Sequence, residues 1–223
     1  MILARQLLSW LVIISTFTFL PIGTVVAETN LVHKKNLPFP PAPLPPPTPW
    51  KPVERTVTYP VHGSSGIALY QSIGSQGPAA GVQAIAQTGF ALTWTRDYQR
   101  QDDGSCILAV ARPKLIITYT IPKAANRLAP ALEAKWQHFI NGVKKHEQVH
   151  ADQIIDMVRA IEAFSIGLKA ENDPGCQKVR ARLQAQLKVF SDARVSQSRA
   201  YDKLELAEGG AVHQLILALV NPP

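Results

Sequence analysis

The chain has 223 residues, 46% of them hydrophobic and 17% charged, with a formal net charge of +7. That length leaves room for one domain with a real core but not comfortably for two. The basic residues are scattered (Arg96, Arg100, Lys144, Lys145, Arg180, Arg182) and not interleaved with aromatics in one patch, which describes a solvated surface and excludes a nucleic-acid groove.

At the N-terminus, Arg5 precedes an apolar run from Leu7 to Leu20, and Val25-Val26-Ala27 offers the small residue that signal peptidase prefers. Residues 1–27 therefore read as a signal peptide. An uncleaved N-terminal anchor is the alternative, because Leu7 to Ala27 is just long enough to span a bilayer. Either form sends the chain to a secreted or periplasmic location, with membrane contact expected only through this segment if it stays uncleaved. Residues 28–53 follow as a linker. From Leu37 to Pro52 it reads LPFPPAPLPPPTPWKP, which cannot build a helix or sheet interior and predicts an extended polyproline spacer.

Residues 54–223 carry the domain. A short helix is expected from Gly66 to Ile73, ended by Gly74 and the Gly77-Pro78 break. Phe90, Leu92 and Trp94 alternate with Ala91, Thr93 and Thr95, and Leu115, Ile117, Tyr119 and Ile121 repeat the pattern, so both segments read as half-buried strands. Asp102-Asp103-Gly104 predicts the hairpin turn that joins the Trp94 strand to the Cys106 strand. After Pro130 the period becomes helical and stays so to about Ala170. Asp173-Pro174 then looks like an N-cap with a first-turn proline, opening a second helix through Val179, Leu183, Leu187, Phe190 and Tyr201. The expected fold class is α+β, a small antiparallel sheet followed by a long helical hairpin. Two cysteines in an exported chain are most simply one disulfide, Cys106 to Cys176.

The first long helix contains His146-Glu147-Gln148-Val149-His150. A spacing of four residues places His146 and His150 one above the other on a helical face, where both imidazoles can ligate one Zn2+. Glu147 then sits beside the metal and not on it, placed to take a proton from the attacking water. Trp136, Phe139, Ile140, Val143, Ile154, Met157, Ile161 and Phe164 form the apolar stripe of the same helix. Two imidazoles on that buried stripe each need a partner, which a shared metal supplies. His138, His33 and His62 show no comparable spacing.

These residues resemble a known family, the predicted secreted zinc-dependent proteases, catalogued as a bacterial domain of unknown function. The resemblance runs from about Tyr59 to Gly210. It rests on Gly77-Pro78, the Trp94 strand, Cys106, Ile121-Pro122, Trp136 ahead of the His-Glu-x-x-His motif, Cys176 and Tyr201-Asp202. Members of that family typically continue from Tyr-Asp into Thr-x-His-Gly, whose His would complete the metal site. This chain instead runs from Lys203 to Gly210 without a His, and Glu208-Gly209 stands nearly where that His is expected. Glu208 is the leading candidate for the third ligand, with His213 or no third protein ligand as alternatives. Tyr201 or His213 would stabilise the oxyanion, and Asp202 would orient a ligand imidazole. The resemblance implies a zinc-dependent peptidase acting on a peptide or protein substrate. A zinc-binding envelope module without catalysis and an amidase of cell-wall peptides are the other classes.

Overall fold

The computed structural model describes residues 50–77 and 84–221. The expected signal segment and most of the linker lie outside the described residues. Where the linker ends, the Trp50 indole N–H donates to Glu162 Oε2 at 2.7 Å.

The elements in chain order are β1 (Val53–Val61), α1 (Gly66–Gln76), β2 (Gln87–Arg100), β3 (Cys106–Ala124), α2 (Pro130–Ser165), β4 (Lys169–Ala170), α3 (Gln177–Leu206) and α4 (Ala211–Val220). They form an α+β fold, as expected. The sheet order is β1-β3-β2, with β4 beside β3. β2 and β3 are antiparallel, running from the pair Gln87 and Thr120 to the pair Arg100 and Cys106, with an irregularity at Asp97/Tyr98. Gly104 closes their turn at φ +76°, a conformation that suits a residue without a Cβ. β1 pairs parallel to β3, Val53 against Ile116 through Val61 against Ala124. The sheet is therefore mixed, not purely antiparallel as expected. Alternation is the same for either strand direction, and α1 carries the chain between β1 and β2 so that β3 can insert between them.

Several boundaries move for local reasons. α1 runs through Gly74 to Gln76, capped by Ser65, whose Oγ accepts from Ala68 N at 3.3 Å. α2 stops at Ser165, and Lys169–Ala170 leaves the helix to pair with Cys106 and Ile107. α3 starts at Gln177, three residues after Pro174. Asp173 still caps it from a distance, accepting from the N–H groups of Gln177 at 2.7 Å and Val179 at 3.0 Å. Burial works to raise its carboxyl pKa, but these backbone donors outweigh that and hold it below the usual value.

Among the described residues, two clusters of buried side chains lie on either side of the site. One joins Val61, Leu69, Ile73 and Ile121 to Trp136, Phe139, Ile140 and Val143 of α2 and Leu219 of α4. The other joins Leu108 and Ala111 of β3 to Val179 and Leu183 of α3 around the Cys106–Cys176 disulfide. α4, which the sequence reading did not separate from its surroundings, packs so close to α2 that a Cβ on Gly142 would overlap Leu215. The middle of α2 lies between these clusters. There it faces α3, with 146 opposite 202, 150 opposite 198 and 164 opposite 190, so the two helices run antiparallel. Among the described residues no helix is long and apolar enough to cross a membrane.

Candidate metal centre

α2 is one uninterrupted helix through the His-Glu-x-x-His pentapeptide, so His146 and His150 present their rings on one face. Their Nε2 atoms lie 3.0 Å apart. Asp202 of α3 places Oδ1 at 3.2 Å from His146 Nε2 and 2.8 Å from His150 Nε2. Three potential ligand atoms thus meet at the corners of a small triangle. Ligand atoms bonded tetrahedrally to zinc at about 2.0–2.1 Å would stand about 3.3 Å apart, so the triangle has nearly the right size. The two histidine side chains are 11% and 12% exposed and that of Asp202 41%, which leaves the carboxylate side open to solvent.

Of the two outer ring nitrogens, that of His150 has a hydrogen-bond partner and that of His146 has a nearby carboxylate. Ser198, one turn before Asp202, sets its Oγ 3.0 Å from His150 Nδ1. Glu205 Oε2 lies 3.9 Å from His146 Nδ1, an atom that is buried and without a hydrogen bond among the described residues. The Tyr201 ring stacks on His146 at 4.8 Å and meets His150 edge-on at 5.5 Å, which limits rotation of both imidazoles. Burial, reinforced by the nearby carboxylates of Glu205, Asp202 and Glu147, pushes the Tyr201 hydroxyl up to about 12, so it remains a proton donor at neutral pH.

Glu147 is 5% exposed. Thr88 of β2 donates its hydroxyl to Glu147 Oε2 at 2.6 Å and also lies 3.0 Å from the Glu147 carbonyl oxygen. Burial raises the Glu147 carboxyl above its ordinary value, against the Thr88 hydrogen bond and the two imidazoles, which pull it down. Thr88, Glu147, His150, Ser198 and Asp202 line one polar cleft of about 150 Å³.

Glu208 is not brought to the histidines. It is exposed, in the turn after α3. α3 continues as a helix to Leu206, so the helix end stands about 6 Å further along the axis than Asp202, and Glu208 follows in the turn beyond it. His213 faces that same turn, where its Nδ1 accepts from Gly209 N at 3.2 Å. Among the described residues, the cluster able to hold an ion is His146, His150 and Asp202. Sequence reasoning missed Thr88, Ser198 and Glu205. A signal existed in α3, where Ser198 and Glu205 continue the helical stripe of Leu183, Leu187 and Phe190 as polar residues on a facing side.

No curated protein and no solved structure matches the chain. One family model does, over residues 56–210, which takes in most of the chain and the whole constellation of His146, Glu147, His150 and Asp202. The chain therefore belongs to the family described as bacterial protein of unknown function (DUF922).

Proposed function

We propose that this protein is an exported zinc-dependent peptidase in which His146, His150 and Asp202 hold the metal and Glu147 is the general base. The observation that carries the reading is the convergence of two imidazole Nε2 atoms and one carboxylate oxygen within 3.2 Å of one another. Hydrogen bonding alone satisfies that triangle poorly, because a single proton between the two Nε2 atoms leaves the accepting nitrogen with only a lone pair to present to the Asp202 carboxylate. A cation satisfies all three lone pairs at once. Asp202 takes the place in the ligand set that the sequence reading gave to Glu208. The disulfide fits an oxidising compartment outside the cytosol.

Zinc held there supplies Lewis acidity, which lowers the pKa of water and polarises a substrate carbonyl. The protein's own residues do the rest. Thr88 holds Glu147 Oε2, leaving Oε1 to take a proton as the water oxygen bonds to the carbonyl carbon. The same carboxyl returns that proton to the amide nitrogen as the C–N bond breaks, which gives a carboxylate and an amine. The Tyr201 hydroxyl is the donor for the developing oxyanion. Ser198 fixes the His150 imidazole from behind by hydrogen bond, and the Glu205 carboxylate stands behind His146 at 3.9 Å as an electrostatic partner.

The test is metal analysis of the purified chain followed by cleavage of a denatured protein. About one zinc per chain is expected, lost in His146→Ala and His150→Ala, with Glu147→Gln keeping zinc and losing hydrolysis. Zinc retained by both histidine variants refutes the site. Zinc without turnover in the parent favours the non-catalytic binding module.

A further inference from the structure

We infer that Arg194 forms a carboxylate-binding subsite in the candidate cleft, so that the preferred ligand is a peptide carrying an acidic side chain a few residues from the metal centre. This rests on the peptidase reading for the word substrate, but the recognition chemistry stands on Arg194 itself. Arg194 lies on α3 one turn before Ser198 and two turns before Asp202, and its side chain lines the same cleft as Glu147 and His150. Its Nε is buried and, among the described residues, has no hydrogen-bond partner. Among the described residues, no carboxylate stands within ion-pair distance of its guanidinium, although Lys169, Lys188 and Arg159 on the surface all have one.

Packing does not claim this cation either. Arg180, near the start of the same helix, sits over the Tyr98 ring at 3.8 Å. Arg194 is 5.6 Å from the Phe90 ring, at the outer edge of a cation–π contact, and Phe90 is itself 39% exposed. A partly desolvated guanidinium without a counter-ion favours an incoming anion, and its fork of N–H donors matches a carboxylate in a bidentate pair. The cleft otherwise presents the acids Glu147 and Asp202, so Arg194 marks the end of the cleft that receives negative charge. Arg194 and Asp202 are separated by about 12 Å along the helix axis. An extended peptide advances about 3.3 Å per residue, so the acidic side chain should fall roughly three to four residues from the reacting bond.

The experiment measures binding and not turnover. The full chain is stripped of metal with a chelator, which stops hydrolysis and removes zinc as a competing carboxylate ligand. The probes are fluorescent capped hexapeptides, each with one glutamate in an alanine and serine background, and the same peptides with glutamine instead. The parent should bind the best glutamate peptide at least about tenfold more tightly than its glutamine counterpart, a gap expected for a charge-assisted pair. Arg194→Gln should erase that preference, and Arg194→Lys should keep part of it. Equal affinity of the parent for both peptides, or no binding of either, overturns the subsite. So does a preference that survives in Arg194→Gln. Folding of the variants is checked by circular dichroism and by a thermal unfolding midpoint matching the parent's. Because the binding arm needs no catalysis, failure of the peptidase reading would appear only in the separate hydrolysis assay.

Discussion

Removing the Cys106–Cys176 bridge should cost the domain a calculable share of its stability. The cysteines are separated by 70 positions in sequence and are both buried. In the chain-entropy model, closing a loop of that length takes about 15 cal/mol/K from the unfolded chain, or about 4.4 kcal/mol at 25 °C. For a domain of this size, that corresponds to a fall in Tm of about 10 to 15 °C. Two perturbations separate the entropy from packing. Reduction with a phosphine leaves every atom except the bond, whereas a Cys106→Ala, Cys176→Ala double variant also opens space beside Leu108 and Val179 and should lose slightly more. Urea unfolding followed by circular dichroism gives both the free energy and the denaturant slope. The slope should rise on reduction, because an unfolded chain without the cross-link exposes more surface. A loss under about 1.5 kcal/mol with an unchanged slope would refute the reasoning, since the loop ends would then already be close in the unfolded ensemble.

Asp202→Ala should weaken zinc binding by more than the roughly 10- to 100-fold typical of residues that only support a ligand, while Glu208→Ala and His213→Ala stay near the parent in competition titrations. Equal effects of Asp202→Ala and Glu208→Ala would reject Asp202 as the third ligand. Ser198→Ala removes the partner of His150 Nδ1 and should cost zinc affinity about 10- to 100-fold without changing stoichiometry. The Asp103 carboxyl is held down at about 2, chiefly by the Ser105 hydroxyl and backbone N–H and then by Lys169. Its folded pKa lies below the unfolded value, so it stabilises the fold above about pH 4 and ceases to as pH falls towards 2. Asp103→Asn should therefore lower Tm at pH 7 and match the parent near pH 2; a Tm difference that does not narrow with acid would contradict this.

How much was legible depended on whether the information was local. The α2 positions of His146, Glu147 and His150 follow from a four-residue period within one helix, and the hairpin turn at Gly104 follows from three adjacent residues. With only two cysteines in the chain, Cys106 had one partner to find. The period-2 and period-3.6 segments separated strands from helices and gave the α+β class.

Only the tertiary structure decided what comes from a second element. Strand alternation is blind to direction, so the parallel pairing of β1 with β3 had no signature in Val53–Val61. Thr88 reaches Glu147 across 59 positions, and Asp202 reaches His146 across 56. That Asp202 and not Glu208 meets the two histidines is set by how α3 is registered against α2. That register comes from Phe164 against Phe190 at one level and Tyr201 against His146 at another. Periodicity states which face of a helix is turned inward, because side-chain direction repeats along one chain segment. It does not state which level of that face meets a given residue opposite, because that is fixed by the summed packing of two distant segments.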